Sequence, residues 1–538
     1  MLPVPFTKSP HLNQSFVFLL ERCKSMSELK RIHAQITTHG LSGDNFLVSK
    51  LLLFSAVSDS GDIDYSCRVF RTLPAPTIFI YNTLIRGFSK SKNPNCSISL
   101  YTQMLRAGVS PDHLTFPFLA KSCARLSSLR LGLSIHAHIA KNGLEFDLFV
   151  QNSLIHLYAS CDDIMSGRRV FDGISQPNTV SWNTLVDGYA KCGNLSAARE
   201  AFDCMPERDV VSWSALIDGY VKGGEYREAL ALFETMQAQA GGPKANEVTM
   251  VSVLCACAHL GALDKGRKMH RHLEENGLRS SPELLTSLID MYAKCGSIHE
   301  ALEVFHAVPA QKTDVLMWNA VIGGLAMHGL GAESAEMFRE MQRAGISPDE
   351  ITHLGLLSSC AHGGLVDDAW AFFRSLKARG MTPQVEHYAC MVDVLCRAGR
   401  MEEAYEFVST MPIEPSASVL GALLSGCQTH GWVHLGEIVG KRLVELEPEH
   451  DGRYIGLSNV YAIARRWEEA RTMREAMEKR GVKKAPGFSE IEVEKGLHIF
   501  IAHDKVHPQS TEIYSMLSVI AMQMKMEYDG IIQEPLSF

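Results

Sequence analysis

The feature that most constrains this chain is self-similarity at periods of 31 and 35 residues, running through most of its 538 residues. A repeat of that length is a pair of helices that must stack on its neighbours. In the unit Thr179 to Asp209, TVSWNTLVDGYAKCGNLSAAREAFDCMPERD, residues Trp182, Leu185, Val186 and Tyr189 share one helical face. Gly193 breaks the chain, Leu195, Ala198, Phe202 and Met205 make a second face, and Pro206 ends it. Two short amphipathic helices cannot bury their apolar faces alone, so the units are expected to stack into an all-α superhelix.

Ten units follow without gaps: 78–112, 113–147, 148–178, 179–209, 210–246, 247–281, 282–314, 315–349, 350–384 and 385–416. Two degenerate units within 13–77 precede them, ending near Asp44 and Thr77. The columns hold the register. The fourth residue is Tyr81, Trp182, Trp213 or Trp318, and the twenty-seventh is Met104, Met205, Met236, Met341 or Met411. Large apolar residues recurring in this way are packing positions.

A hydrophobic share of 46% with 21% charged residues fits a folded chain. The net charge of -8 argues against a protein that holds nucleic acid through a global positive field, so any such binding must be local and base-directed. No apolar run approaches the roughly 20 residues that cross a bilayer, so no membrane insertion is expected. The first twenty residues hold no acid. Residues 1–12 therefore suit either a transit segment, though one poor in arginine, or an irregular start to the first repeat.

Fourteen cysteines and twenty-two histidines raise the question of a metal site. Cys123, Cys257 and Cys360 all stand at the eleventh position of their units, and Cys161, Cys192 and Cys295 at the fourteenth. Recurrence in register means one small packed side chain per unit. No CxxC occurs, and Cys255 and Cys257 point to different faces of a helix. His33, His136 and His270 occupy equivalent positions and are expected at helix interfaces. His272-Leu273-Glu274 matches the HxE half of a zinc deaminase signature, but no PCxxC follows. With no P-loop, Rossmann, GxSxG or HExxH pattern either, no catalytic residue, metal or cofactor is expected.

The segments VSWNTLVDGYAKCG, VSWSALIDGYVKGG and TSLIDMYAKCGSIHEALEVF resemble the pentatricopeptide repeats of plants, in the PLS subclass that alternates longer and shorter units. The resemblance covers nearly the whole chain and implies a right-handed superhelical solenoid that binds single-stranded organellar RNA. In that family the fifth and last residues of a unit together select a base, and the second packs against base faces. The implied selecting pairs are Asn82 with Asp112, Asn152 with Asn178, Asn183 with Asp209, Ser214 with Asn246, Thr286 with Asp314, and Asn319 with Asp349. An Asn amide offers donor and acceptor to a pyrimidine edge, and a small hydroxyl leaves room for a purine. By the family's pairing the ten units read 5′-U-n-C/U-U-A-n-G-U-n-n-3′. Pro117, Val251, Leu354 and Ala389 stand at the fifth position of units with no base assigned, where none can hydrogen-bond a base edge. The implied sandwich residues are Phe79, Leu114, Phe149, Val180, Val211, Val248, Leu316 and Ile351, with Glu283 and Glu386 as departures.

Residues 417–484 are similar to the family's E-type extension and should form two further hairpins, closer to tetratricopeptide units. Residues 485–530 resemble the segment that precedes a DYW-type deaminase in longer relatives. There Ile491, Val493, His498, Phe500 and Ala502 alternate as in a small strand pair, and Thr511 onward reads as a helix. Leu420 stands where relatives usually have Trp, and Glu490 where a small or aromatic residue is commoner. The sequence stops at Phe538, short of zinc-binding residues, so the resemblance implies a site-recognition factor for C-to-U editing rather than an enzyme. Residues 417–530 would then recruit a deaminase in trans and organellar accessory proteins. A mitochondrion is the expected location, with the chloroplast as alternative. Two other readings are RNA stabilisation, splicing or processing, and a protein-binding helical scaffold.

Overall fold

The computed structural model describes residues 10–239, 241–277, 281–309, 312–484, 487–493, 496–501 and 505–533. Residues 1–9 of the candidate leader, and Ala502 of the expected strand, lie outside them. Among the described residues the chain is an all-α repeat array of 29 helices with one two-stranded antiparallel sheet near its end, and it divides into two compact units, 1–256 and 257–538.

Within the first unit, helices begin at Ile78, Thr115, Leu148, Thr179 and Val210, and each is followed by a second, antiparallel partner. Thr179–Lys191 and Leu195–Asp203 are the type pair. Between them Gly193 takes φ +73°, a left-handed conformation that reverses the chain at no Cβ cost. The second unit repeats the arrangement from Pro282, Val315, Glu350 and Val385. Two more hairpins follow, Ala417–His430 with Val433–Leu446 and Asp451–Ile463 with Trp467–Lys479.

The packing columns explain why hairpins stack. Trp182, Trp213 and Trp318 each meet a phenylalanine from the second helix of the preceding hairpin edge to face, at centroid distances of 4.7 Å from Phe171, 4.8 Å from Phe202 and 4.7 Å from Phe305. Tyr81 meets Phe70 at 5.3 Å in the same way. Met104, Met205, Met236 and Met341 are buried, whereas Met411 is half-buried. In the first unit one apolar core runs without interruption from Phe16 to Tyr158.

A second device is absent from the apolar columns. The tenth residue of several first helices is glycine, and it lies against the twelfth residue of the preceding first helix. A Cβ on Gly219 would stand 2.5 Å from Cβ of Ala190, and one on Gly324 2.8 Å from Cβ of Ala293. One on Gly188 would meet Ala159 at 3.1 Å and Ile164 at 2.8 Å. Glycine and alanine together thus let consecutive first helices approach closely, which sets the pitch of the stack.

Near the end, Phe488–Val493 pairs with Gly496–Ile501, Ile491 opposite His498. His498 Nδ1 lies 2.7 Å from His507 Nε2. Ser510–Gln533 is a 24-residue helix, beginning one residue before the start read from the sequence. No helix among the described residues is long and apolar enough to cross a membrane.

Candidate nucleic-acid interface

In several units the last residue is the N-cap of the next first helix, and this fixes where its side chain points. Asn178, Asp209, Asp314 and Asp349 cap the helices that follow them by accepting from the backbone N–H three residues on. Asp112 does the same for the next helix, accepting from the N–H groups of Leu114 and Thr115 at 3.0 Å.

Three of the six implied pairs close with one geometry. The amide nitrogen of Asn82 donates to Asp112 at 3.0 Å, that of Asn183 to Asp209 at 3.1 Å, and that of Asn319 to Asp349 at 3.0 Å. In each case the acceptor is Oδ1, the oxygen that also caps the helix. Burial pushes the Asp112 carboxyl up, but donors from Thr115, Asn82 and Leu114 outweigh it and hold the group below the ordinary carboxylate value. Asp209 is held low by the same balance, burial opposed by Ser212, Asn183 and Val211. The carboxylates are therefore charged when the amides are oriented against them.

Ser214 reaches Asn246 at 3.4 Å, at the limit of a hydrogen bond, and bonds more closely to Thr249 at 2.6 Å and to the carbonyl of Val210 at 2.6 Å. The other two pairs are not joined. No hydrogen bond links Asn152 to Asn178, and the Thr286 hydroxyl donates to the carbonyl of Pro282 instead.

Beside these polar pairs lies a row of apolar side chains that folding leaves in solvent. Phe79, Leu114, Phe149, Val180, Val211, Val248, Leu316 and Ile351 are each between 45% and 60% exposed. Their neighbours at the fourth position are buried or half-buried, so the exposure belongs to this column. Glu283 and Glu386 are exposed in the same column. The surface forms a cleft of about 200 Å³ whose lining includes Phe79, Leu114, Asn82, Asp112, Arg86 and Phe118. An opening of that size, lined by apolar side chains together with an amide and a carboxylate, suits a flat heteroaromatic ring.

One position escaped the sequence reading. The helix Asn45–Val57 is capped by Asp44 and presents Phe46, 58% exposed, at its second residue with Ser49 buried at its fifth. The signal was present in Asp44-Asn45-Phe46, which places an acid two residues before an apolar side chain as Asp112 and Leu114 do.

The in-register histidines and cysteines are occupied by packing. Nδ1 of His33, His136 and His270 lies 2.6, 2.7 and 2.9 Å from the hydroxyls of Tyr65, Tyr158 and Tyr292. His138, two residues from His136, turns to Tyr101 at 2.8 Å. Burial pushes the thiols of Cys123 and Cys360 up to about 12, which leaves them protonated and unreactive at neutral pH.

The sequence matches the PPR repeat family over residues 76–125, 208–259 and 313–362, further PPR repeat profiles over 175–206, 284–308, 351–381 and 379–412, and the E motif over 430–492. A pentatricopeptide repeat-containing protein of Arabidopsis thaliana is 54% identical over 511 residues, covering 95% of this chain and 96% of its own. A second from the same plant, designated mitochondrial, is 40% identical over 98% of this chain and 92% of its own. Among solved structures, maize PPR10 in complex with an 18-nt psaJ RNA element aligns with 16% identity and a TM-score of 0.49, over 88% of this chain and 87% of its own.

Proposed function

Because the chain belongs to the pentatricopeptide repeat family, we propose that it reads single-stranded RNA one base per unit and marks a cytidine of an organellar transcript for conversion to uridine. The observation that carries the reading is an exposed apolar second residue beside a fifth-to-last polar pair, recurring in the units that begin at 78, 148, 179, 210 and 315. A solvated apolar row is unfavourable for a free surface and suited to stacking on base faces. Stacking is worth about 1–3 kcal/mol per base on aromatic side chains and less on aliphatic ones, so a chain of net charge -8 can hold RNA without a basic surface.

The site string is 5′-U-n-C/U-U-A-n-G-U-n-n-3′, with U read by Asn82 and Asp112, Asn183 and Asp209, and Asn319 and Asp349. A pyrimidine is read by Asn152 and Asn178, A by Ser214 and Asn246, and G by Thr286 and Asp314. The units run from 78 to 416, and residues 417–530 receive a DYW-type deaminase supplied in trans together with accessory proteins. The E-motif match and the exposed Trp467, Ile438 and Ile463 on these hairpins support that role. The place of action is the mitochondrion, with the chloroplast as the alternative.

A gel shift with RNA carrying this string, against the same RNA with U and G exchanged, tests the reading. Equal binding would reject it. For editing, organellar transcripts compared with and without the protein should lose conversion at a C downstream of a matching string. Unchanged editing maps with altered transcript ends or levels would instead favour stabilisation or processing.

A further inference from the structure

The Asn readers fall into two classes that the fifth and last residues do not distinguish. In the Asn82 and Asn319 pairs, the amide oxygen is bound by the threonine at the third position of the next unit. Thr115 Oγ1 donates to Asn82 Oδ1 at 2.8 Å, and Thr352 Oγ1 to Asn319 Oδ1 at 2.6 Å. The same hydroxyls accept from the backbone N–H of Asp112 and Asp349. Each hydroxyl also stands 2.9 Å from the Oδ1 of its own Asp112 or Asp349, so its one proton serves the nearer amide oxygen, and the amide is held at both ends, nitrogen by carboxylate and oxygen by hydroxyl.

Where the third residue is serine, that second tie is missing. Ser212 Oγ accepts from Asp209 N–H and donates to Asp209 Oδ1 at 2.9 Å, and Asn183 Oδ1 has no partner among the described residues. Ser181 Oγ likewise turns to Asn178, and Asn152 Oδ1 has none. Asn152 and Asn183 are nine-tenths buried, so each oxygen is a buried acceptor awaiting a donor. The chemical difference is one methyl group. Branching at Cβ restricts threonine to few rotamers, whereas serine swings to the nearer carboxylate or amide.

We propose that the third residue of the following unit is a positioning residue that sets how strictly an Asn reader separates U from C. The proposal rests on the base-reading function above. An amide whose oxygen is already engaged presents mainly its remaining N–H, which suits a uracil carbonyl, while the carboxylate suits the uracil N3–H. Cytosine offers an amino donor where uracil has a carbonyl, and the tied amide has little acceptor left for it. The untied oxygens of Asn152 and Asn183 can accept from that amino group, so these units take either pyrimidine. Asn82 and Asn319 are thus the strict readers, and Asn183, although paired with the same residue type, is a lax one.

The test measures competition binding of the full chain to RNAs carrying U or C at single positions of the string. In the native protein the U-over-C ratio should be higher at the Asn82 and Asn319 bases than at the Asn183 base. Thr352→Ser should lower the ratio at the Asn319 base by roughly 2- to 10-fold, the range of one neutral hydrogen bond, and leave the other bases unchanged. Ser212→Thr should raise the ratio at the Asn183 base by a similar factor. Both variants keep a hydroxyl at the capping position, and a purely structural role would shift affinity for U and C alike. Ratios that stay the same in both variants, while the native protein prefers U, overturn the proposal and leave the base code standing. A native protein with no U-over-C preference at any of the three bases rejects the code, and the proposal with it.

Discussion

Replacing Gly219 with alanine tests whether the stack is set by helix contact. The new Cβ would stand 2.5 Å from Cβ of Ala190, where non-bonded carbons rest at about 3.5–4.0 Å, so the two helices must part by roughly 1–1.5 Å. Overpacking of that kind costs about 1–3 kcal/mol. Alanine in a helix interior recovers about 1 kcal/mol over glycine, leaving a net loss of about 0–2 kcal/mol. Because the two effects oppose, the single variant is a weak test and its partner a strong one. With Ala190→Gly in the background the close contact is gone, and the next atoms, Ala190 Cα at 3.6 Å and Leu195 Cδ2 at 3.8 Å, are at ordinary distances. Gly219→Ala should then stabilise by up to about 1 kcal/mol. The measured quantity is the change in effect between backgrounds, about 1–3 kcal/mol, a coupling well above experimental scatter. Urea unfolding of the full chain gives the midpoint. Hydrogen exchange of the amides in Thr179–Lys191 and Val210–Lys222 localises the change, since a repeat array need not unfold in one step. An identical effect of Gly219→Ala in both backgrounds refutes the contact.

Changing Asn319 to Thr, with Asp349 kept, should turn the preference at that unit from U toward G by about 1–3 kcal/mol in competition binding, as a bidentate base contact would. Asp209→Asn keeps a capping oxygen and should shift the base preference from U toward C, lowering the unfolding midpoint only by what the charged form of the carboxylate contributes. Asp209→Ala should lower stability by about 0.5–2 kcal/mol through the lost cap. For pH, the folded values of Asp112 and Asp209 lie below the ordinary 3.8, so their contribution is complete above that value and is lost as pH falls through the lowered ones. The stability advantage of the native chain over Asp112→Asn/Asp209→Asn should accordingly shrink as pH drops below about 4, read from unfolding midpoints across an acid series.

The fold was largely legible because its determinants lie within one unit. Apolar spacing marks the buried face, glycine marks the reversal, and Trp182 or Trp213 in the fourth column marks the contact with the preceding hairpin. What escaped depends on distances between neighbouring units. Gly188 and Gly219 look like weak helix residues until Ala159 and Ala190 are seen against them. Thr115 and Ser212 look interchangeable in a column, yet only the first reaches the previous unit's asparagine. Asn152 and Asn178 match the paired pattern in sequence but do not bond, and the Asn178 oxygen accepts from the backbone N–H and hydroxyl of Ser181.

The N-cap role of each last residue bears on how such a protein changes over generations. Asn, Asp, Ser and Thr are favoured at helix N-termini because each carries an oxygen on a short side chain. Asp209, Asn178 and Ser281 all serve as caps in this chain. A substitution among these residues alters what the surface offers a base while leaving the helix start intact. Under the base reading proposed above, the lineage can drift from one target to another through intermediates that keep the cap, with mutational tolerance built into the positions that would carry the information.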